Sequence, residues 1–173
     1  LGELADAIRK LENENLEIKL LLIGEIDGED DALAKDKLNY LMQLKNVKYI
    51  GVQSDIRPYL MASDVLVFPS YREGFPNVPL EAGALGLPAI VTNINGSNEI
   101  IEDGVNGKII QAPLDNKGVR VNDITIELYT MMKWFYYHPE EVKRMGENAR
   151  PIICERYEQQ NVWKALLKFY NDL

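Results

Sequence analysis

Apolar residues recur along this chain in two alternating patterns, one with the spacing of a helix and one typical of a buried strand. Leu4, Ile8 and Leu11 follow the helical spacing, which predicts a helix over residues 3–13. The next apolar run ends at Gly24 and is typical of a strand that is buried on both faces. The alternation then predicts, in order, a strand over 18–24, a helix over 30–45, a strand over 47–51, a short helix over 55–62, a strand over 64–70, a helix over 79–86, a strand over 89–92, a helical turn over 98–101 and a strand over 108–110.

The C-terminal part of the chain has a helical pattern. From about residue 122 it predicts three helices, broken near Pro139 and near Glu158. Short apolar strands that alternate with helices imply parallel β–α–β units, so we expect one α/β domain over residues 1–173, a Rossmann-like, doubly wound parallel sheet with C-terminal helices. Ligands of such sheets bind beyond the carboxyl ends of the strands. The loops of interest therefore follow Ile23, Ile50, Phe68 and Thr92.

The charge balance restricts the classes of partner. The chain has 19 basic and 27 acidic residues and a formal net charge of −8, which argues against nucleic acid or a wide anionic membrane surface as the main partner. The negative net charge is still compatible with a small anionic ligand, because the free N–H groups at a helix start bind phosphate locally. No apolar stretch approaches the roughly 20 residues that span a bilayer. The N-terminal sequence has no signal-peptide pattern, so we expect a cytoplasmic location.

Several residues could carry chemistry by their type alone, and each has a simpler interpretation. Cys154 is the only cysteine, so no intrachain disulfide can form, and we interpret it as a buried small hydrophobe. His138 precedes a helix start and is expected to be a surface residue of the cap. The aromatic residues 134–137 cannot all face one side of a helix, so some should be exposed. Arg72 is as compatible with a surface charge as with a ligand contact, and residues 97–99 favour helix capping over a pocket lining.

The densest candidate chemistry lies in the loop after the third predicted strand. Pro79 suits the first position of a helix, which would leave the N–H groups of Leu80 and Glu81 pointing toward the strand ends as a phosphate site. Glu73 lies in the same loop and Glu81 in the first helical turn, so both carboxylates would border one crevice. An ionised carboxylate accepts several hydrogen bonds, which suits the hydroxyl groups of a sugar and a ribose. From the spacing alone, Glu81 could instead close a capping box onto Val78, and Glu73 could be a solvated loop charge.

The ordered set of motifs resembles the retaining glycosyltransferases of the GT-B fold, the glycosyl transferases group 1 family, specifically its C-terminal nucleotide-sugar-binding domain. In that family two glutamates are separated by seven residues, as Glu73 and Glu81 are here. The matching features begin at about Ile18 and run to the C-terminus. They are LLIG, SDVLVFPS, REGFPNVPLEAGALGLPAIVT, NGSNEII, DGVNGKII and HPEEVKRMGENAR.

The resemblance implies a role for each matching residue. Glu81 would hold the ribose hydroxyls of the nucleotide, and Glu73 would be the catalytic-site residue that contacts and positions the donor sugar. Backbone groups of the loop and helix start would meet the sugar and the diphosphate, at Gly74, Phe75, Asn77, Val78 and Leu80. The loops after Gly24 and Gly51, including Val52, would lie near the base.

The resemblance also implies the reaction and its partners. The donor would be a nucleotide-diphosphate sugar, with UDP-hexose or UDP-N-acetylhexosamine favoured, used with retention in bacterial polysaccharide or glycan synthesis. No metal or other cofactor is expected, and the sequence offers no compact His, Cys and Asp cluster to bind a metal. A glycan or lipid-linked acceptor would bind through an N-terminal domain, and the full-length enzyme could associate peripherally with a membrane. Two alternatives stay open: a nucleotide-sugar epimerase or hydrolase of the same fold, and a non-catalytic nucleotide-sugar-binding module.

The chain departs from the family pattern at two places. Many members have glycine where this chain has Pro76, and proline removes one potential backbone donor. The family places an Arg and a Lys that grip the diphosphate before the segment that matches residues 1–12, and Arg9 and Lys10 do not match them. The preceding strand, central in the family's sheet, and the acceptor domain are also unmatched, so we expect a fragment that is inactive alone. A rearranged sheet and a strand from another chain are both open hypotheses for how its sheet closes.

Overall fold

The computed structural model describes residues 1–25, 32–115 and 117–172. Within these ranges helices and parallel strands alternate and three helices follow, which confirms the predicted α/β architecture. The elements are α1 Gly2–Asn13, β1 Leu20–Ile23, α2 Ala32–Gln43, β2 Val47–Gly51, α3 Arg57–Met61, β3 Leu66–Phe68, α4 Asn77–Ala84, β4 Ala89–Thr92, α5 Ser97–Ile100, β5 Gly107–Ile110, α6 Thr125–Tyr137, α7 Pro139–Tyr157 and α8 Gln159–Asn171. The start of the helix that was predicted over 30–45 lies outside the described residues.

Strand β4 is the centre of a three-stranded sheet with the order β3–β4–β5. It pairs in parallel with both neighbours, Val67 lying opposite Ile90 and Ile90 opposite Lys108. All four residues of β4 are buried. Ile90 belongs to a core cluster formed with α1 and α6, whereas Val91 packs with residues of α5 and α7. Helices therefore cover both faces of this sheet, as the continuous apolar sequence of β4 predicts.

The remaining strands form a separate two-stranded sheet. Strand β1 pairs in parallel with β2, Leu20 lying opposite Val47, and no ladder joins β1 to β3 among the described residues. A cavity of about 1770 Å³ runs between these two strands, and Leu22, Val67 and Phe135 are among its lining residues. The expected single doubly wound sheet is therefore interrupted at this point, and the strands have not rearranged to close it.

The C-terminal helices follow the predicted breaks. Helix α6 ends at Tyr137, α7 begins at Pro139, and Glu158 occupies the N-cap position of α8. Of the aromatic run, Phe135 is buried whereas Tyr136 and Tyr137 are exposed, which confirms that the run does not face one side.

Cys154 is only partly buried, so the expectation of a buried cysteine was wrong; it lies next to Ile153, which takes the core-facing position. Helix α8 has no buried residue. None of the helices in the described ranges combines the length and the apolar character needed to cross a membrane.

Candidate functional site

The loop between β3 and α4 is held at its first turn by the end of the neighbouring strand. The hydroxyl of Thr92, which is fully buried, donates to the carbonyl oxygen of Ser70 at 2.5 Å. The hydroxyl of Ser70 in turn donates to Oε1 of Glu73 at 2.7 Å. Glu73 is partly buried and hydrogen-bonded, so it is more constrained than a solvated loop charge. The carboxyl ends of two paired strands thus set the position of this carboxylate.

Helix α4 begins two residues earlier than the sequence predicted. Its first residue is Asn77, and Pro76 precedes it in an extended conformation, with φ −76° and ψ 131°. Pro79 is therefore the third helical residue, a position that still lies in the first turn and tolerates proline. In a helix each N–H bonds to the carbonyl four residues earlier, so the N–H groups of Leu80 and Glu81 are used inside the helix. The expectation that they are free for a phosphate was wrong.

The earlier helix start leaves two other backbone donors at this end. The first turn of a helix has N–H groups without intrahelical partners, and neither Pro76 nor Pro79 has an N–H. The groups that remain belong to Asn77, which is exposed, and Val78, which is partly buried. The helix start can therefore offer an anion two N–H groups. They belong to residues for which the resemblance implies donor binding.

Glu81 lies in the second turn of α4 and not in the first, because the helix begins at Asn77. No side-chain cap bond forms at this helix start, so the capping-box alternative for Glu81 was wrong. The residue is exposed and lines a cavity of about 640 Å³ together with Asp55 and Arg57 of the facing segment. Hydrogen bonds from Arg57 lower the pKa of Asp55 to about 2, so this wall of the cavity carries a tightly bonded ion pair.

The loops after β1 and β2, which begin at Gly24 and Val52, lie at the larger cavity. Gly24 closes β1 with a φ of +136°, and its N–H donates to the carbonyl of Gly51 at 3.1 Å. Val52 follows and is 68% exposed. Gly24, Val52 and Val78 all line the larger cavity, and Val78 and Ile56 line the smaller one as well. The structure therefore brings these predicted residues and Glu81 to two adjoining cavities.

Glu73 is not among the residues that line either of these two cavities. The expectation that both carboxylates border one crevice was therefore wrong, because only Glu81 lines a cavity. The reason is local: the bond from Ser70 directs the Glu73 carboxylate back over its own loop. Gly74 next to it faces open space, so the loop side of the site lies beside the cavities rather than within them.

The turn after β4 packs directly against the Glu73 loop. Gly96 has a φ of +77°, and a Cβ at this position would lie 2.5 Å from the carbonyl oxygen of Gly74 and 2.8 Å from Cδ of Pro76. The Gly96 N–H donates to Oε1 of Glu99 at 3.3 Å, which confirms the capping interpretation of this turn. The ring of Pro76 therefore packs close to this glycine.

Two predicted residues, Leu80 and Phe75, bring their side chains to neither cavity. Leu80 packs its side chain against the core cluster beneath β4. Phe75 is 45% exposed, and its ring lies 5.4 Å from that of Tyr157 on α7. His138 occupies the N-cap position of α7, as expected, but it is partly buried and not at the surface, because its ring stacks on Trp134 with centroids 4.6 Å apart. No group of three His, Cys, Asp or Glu side chains in the described ranges is arranged to hold a metal ion.

Sequence reasoning missed the residues that hold the Glu73 loop. Thr92 and Ser70 were seen only as the ends of strands, although a hydroxyl at a buried strand end is a usable signal for such a bond. Tyr71 bonds to Glu3, which is 68 residues away in sequence. No local pattern in the sequence could have paired those two side chains.

Two relatives match almost the whole of this chain. The chain is 29% identical over 177 residues to the capsular polysaccharide biosynthesis glycosyltransferase CapM of Staphylococcus aureus, covering 99% of this chain and 42% of CapM. It is 30% identical over 172 residues to the N-acetyl-alpha-D-glucosaminyl L-malate synthase of Bacillus anthracis, again 99% of this chain and 42% of the relative. The chain thus spans about two fifths of the length of these relatives.

The fold is found in solved structures. The Anabaena protein Alr3699/HepE in complex with UDP-glucose superposes with a TM-score of 0.79 at 22% identity, covering 99% of this chain and 44% of that protein. At this identity the likeness shows the fold, a parallel α/β domain with C-terminal helices as in GT-B glycosyltransferases. The family model for the glycosyl transferases group 1 matches residues 1–120, and the chain belongs to that family.

Proposed function

We propose that this chain is the donor-binding part of a retaining glycosyltransferase that uses a UDP-linked hexose or N-acetylhexosamine. The observation that carries the proposal is the arrangement of Gly24, Val52 and Val78 on one cavity, with Glu81 on the cavity next to it. These residues come from the loops after β1 and β2 and from the first two turns of α4, which follows β3; α/β domains bind their ligands at these carboxyl ends of the strands.

Each group would meet one part of the donor. Glu81 would accept hydrogen bonds from the ribose hydroxyls, and the loops at Gly24 and Val52 would flank the base. The N–H groups of Asn77 and Val78 would bind the diphosphate at the positive end of α4. Glu73, oriented by Ser70, would contact the hydroxyls of the sugar.

The relatives support a UDP-sugar donor and a role in bacterial polysaccharide synthesis. CapM of Staphylococcus aureus is named for capsular polysaccharide biosynthesis, and the Anabaena protein was crystallised with UDP-glucose. The acceptor would be a glycan or a lipid-linked sugar, bound by a separate domain of a longer, cytoplasmic enzyme that associates peripherally with the membrane.

The proposed transfer requires no catalytic base from this chain. The bond between the anomeric carbon and the diphosphate oxygen breaks, and the acceptor oxygen bonds to the same face of that carbon. The acceptor proton passes to the departing phosphate oxygen. The protein contributes orientation and the stabilisation of the leaving diphosphate by backbone N–H groups. We propose that no metal takes part, so turnover should persist in excess EDTA.

We also propose that the gap between β1 and β3 holds an extended segment that runs parallel to both. The two facing strand edges are unpaired within the described residues and border the same large cavity. Helix α1 leads directly into β1, and a strand that precedes α1 would reach the position next to β1 by a right-handed crossover. The natural occupant is therefore a segment before Leu1 in the longer enzyme. Protection of the β1 and β3 amides from hydrogen exchange in the longer enzyme, and not in residues 1–173, would support this.

The test of the function is turnover by the longer enzyme with UDP-sugars, in which NMR follows the anomeric configuration of the product. We expect transfer with retention by the longer enzyme and none by residues 1–173 alone. An inverted product would overturn the proposed stereochemistry. Binding of UDP-sugars without any transfer to a panel of glycan and lipid-linked acceptors would favour a non-catalytic module, and release of free sugar or of its epimer would favour the hydrolase or epimerase.

A further inference from the structure

A buried carboxylate near the start of α1 carries bonds that the proposed function does not use. Glu3 is 7% exposed, and burying a charged group is unfavourable unless it is paired. Both of its oxygens are occupied: Tyr71 donates to Oε2 at 2.5 Å, and Arg120 donates to Oε1 at 2.6 Å. The three side chains join segments that are far apart in sequence. Such a cluster fixes the relative position of those segments.

Tyr71 lies inside the loop that carries the candidate site. It follows Ser70, whose carbonyl is held by Thr92 and whose hydroxyl bonds to Glu73. Burial and the bond to Glu3 raise the pKa of Tyr71 to about 12, so its hydroxyl stays a donor at neutral pH. The loop is therefore fixed on two sides, by the end of β4 and by the start of α1.

The third member of the cluster comes from a turn with its own internal bonds. The Asp115 side chain accepts the N–H groups of Lys117 and Val119, each at 2.9 Å, and an isolated bridge pairs Leu114 with Arg120. This turn also abuts the Glu73 loop, because a Cβ at Gly118 would overlap with the guanidinium of Arg72. This structured turn therefore positions Arg120 for its bond to Glu3.

We propose that Tyr71 is a positioning residue of the donor site, which through its bond to Glu3 fixes the loop that carries the Glu73 carboxylate. The proposal rests on the proposed function of that site. The hydroxyl of Tyr71 does not touch the reacting atoms; it restrains the two residues between Ser70 and Glu73. The restraint matters most for the sugar, because Glu73 is the group assigned to the sugar and Glu81 the group assigned to the ribose.

The test is Tyr71→Phe in the longer enzyme, which removes one hydroxyl and keeps the ring. We expect kcat for sugar transfer to fall about fivefold or more, the equivalent of one net hydrogen bond, while the Kd for UDP alone stays within about twofold. Glu3→Gln keeps an acceptor oxygen for Tyr71, so it should retain more activity than Glu3→Ala. A merely structural role would lower UDP binding and transfer together.

Tyr129→Phe is the matched control. Tyr129 also donates to a carboxylate beside α1, that of Glu14, the C-cap residue at the end of the helix opposite to Glu3. If Tyr71→Phe and Tyr129→Phe have the same kcat as the wild type, the positioning role is overturned. If Tyr71→Phe lowers UDP affinity as much as transfer, it is overturned as well. A wild-type enzyme that binds no UDP-sugar would instead refute the proposed function itself, and with it the basis of this inference.

Discussion

One strand from each sheet, β1 and β4, has an apolar sequence, but the two strands have very different surroundings. Strand β4 is buried along its whole length, whereas β1, which is at least as apolar, is only partly buried at every residue. The difference arises from neighbours: β4 has a strand on each side, and β1 has one strand and an open cavity. Apolar sequence therefore predicts that a strand forms, but its burial depends on which strands lie beside it.

The same contrast divides the candidate site. The Glu73 loop is held by the three-stranded sheet, through Thr92 and the close approach of Gly96. The loops at Gly24 and Val52 belong to the two-stranded sheet across the gap. The proposed donor would therefore bridge the half that holds the Glu73 loop and a half whose sheet is incomplete.

The largest expected difference is in core stability. Ile100→Ala, in the helix that packs on β4, should lower the free energy of unfolding by about 2–5 kcal/mol, because Ile100 is fully buried with Val91 and lines neither cavity. Leu22→Ala in β1 should lower it by only about 1 kcal/mol, since that side chain already borders an open cavity. Urea unfolding of the two variants measures both values. Equal losses would contradict the contrast between the sheets.

The next effect concerns the contact between the β4 turn and the Glu73 loop. Gly96→Ala places a side chain at a φ of +77°, where its Cβ would meet the Gly74 carbonyl, so it should lose about 1–2 kcal/mol from backbone strain and further stability from the clash. Gly104→Ala is the control, because its φ is +74° but the nearest atom is the end of the Lys108 side chain at 3.8 Å. Only Gly96→Ala should also weaken binding of a UDP-sugar. If both variants bind it equally well, the turn does not support the site.

The smallest effect is the pH dependence of the ion pair beside Glu81. Because Arg57 lowers the pKa of folded Asp55 to about 2, the folded state binds fewer protons than the unfolded state between that value and about 4. The pair therefore stabilises the fold above about pH 4, and this contribution is lost as the pH falls toward 2. Melting temperatures of the wild type and Asp55→Asn should approach each other over that acid range. A constant difference from pH 7 down to the acid limit would contradict the assigned pair.

The sequence predicted most elements of this fold because their patterns are local. The spacing of Leu4, Ile8 and Leu11 identified α1, and Pro139 marked the start of α7. The start of α4 was misplaced because two prolines compete for it. Pro76 and Pro79 both suit a helix start, and the extended conformation of Pro76 decided which one precedes the helix.

What the sequence could not predict depends on distant contacts. The gap beside β1 is signalled by no residue of the strand itself; only the resemblance, through its unmatched central strand, anticipated it. The pairing of Tyr71 with Glu3 and Arg120 joins positions that share no pattern. The placement of Glu81 next to Asp55 and Arg57 likewise follows from packing of α4 against the segment after β2.

The most direct test of the account is calorimetric titration of UDP against the longer enzyme and its Glu81→Ala variant. We predict a loss of about 1–3 kcal/mol of binding free energy, from ribose hydroxyls left without partners. With 2′,3′-dideoxy-UDP the wild type and the variant should bind equally. Glu147→Ala, which removes an exposed carboxylate of α7, is the control and should bind like the wild type. Unchanged UDP affinity in Glu81→Ala would contradict the assignment of this helix to the nucleotide.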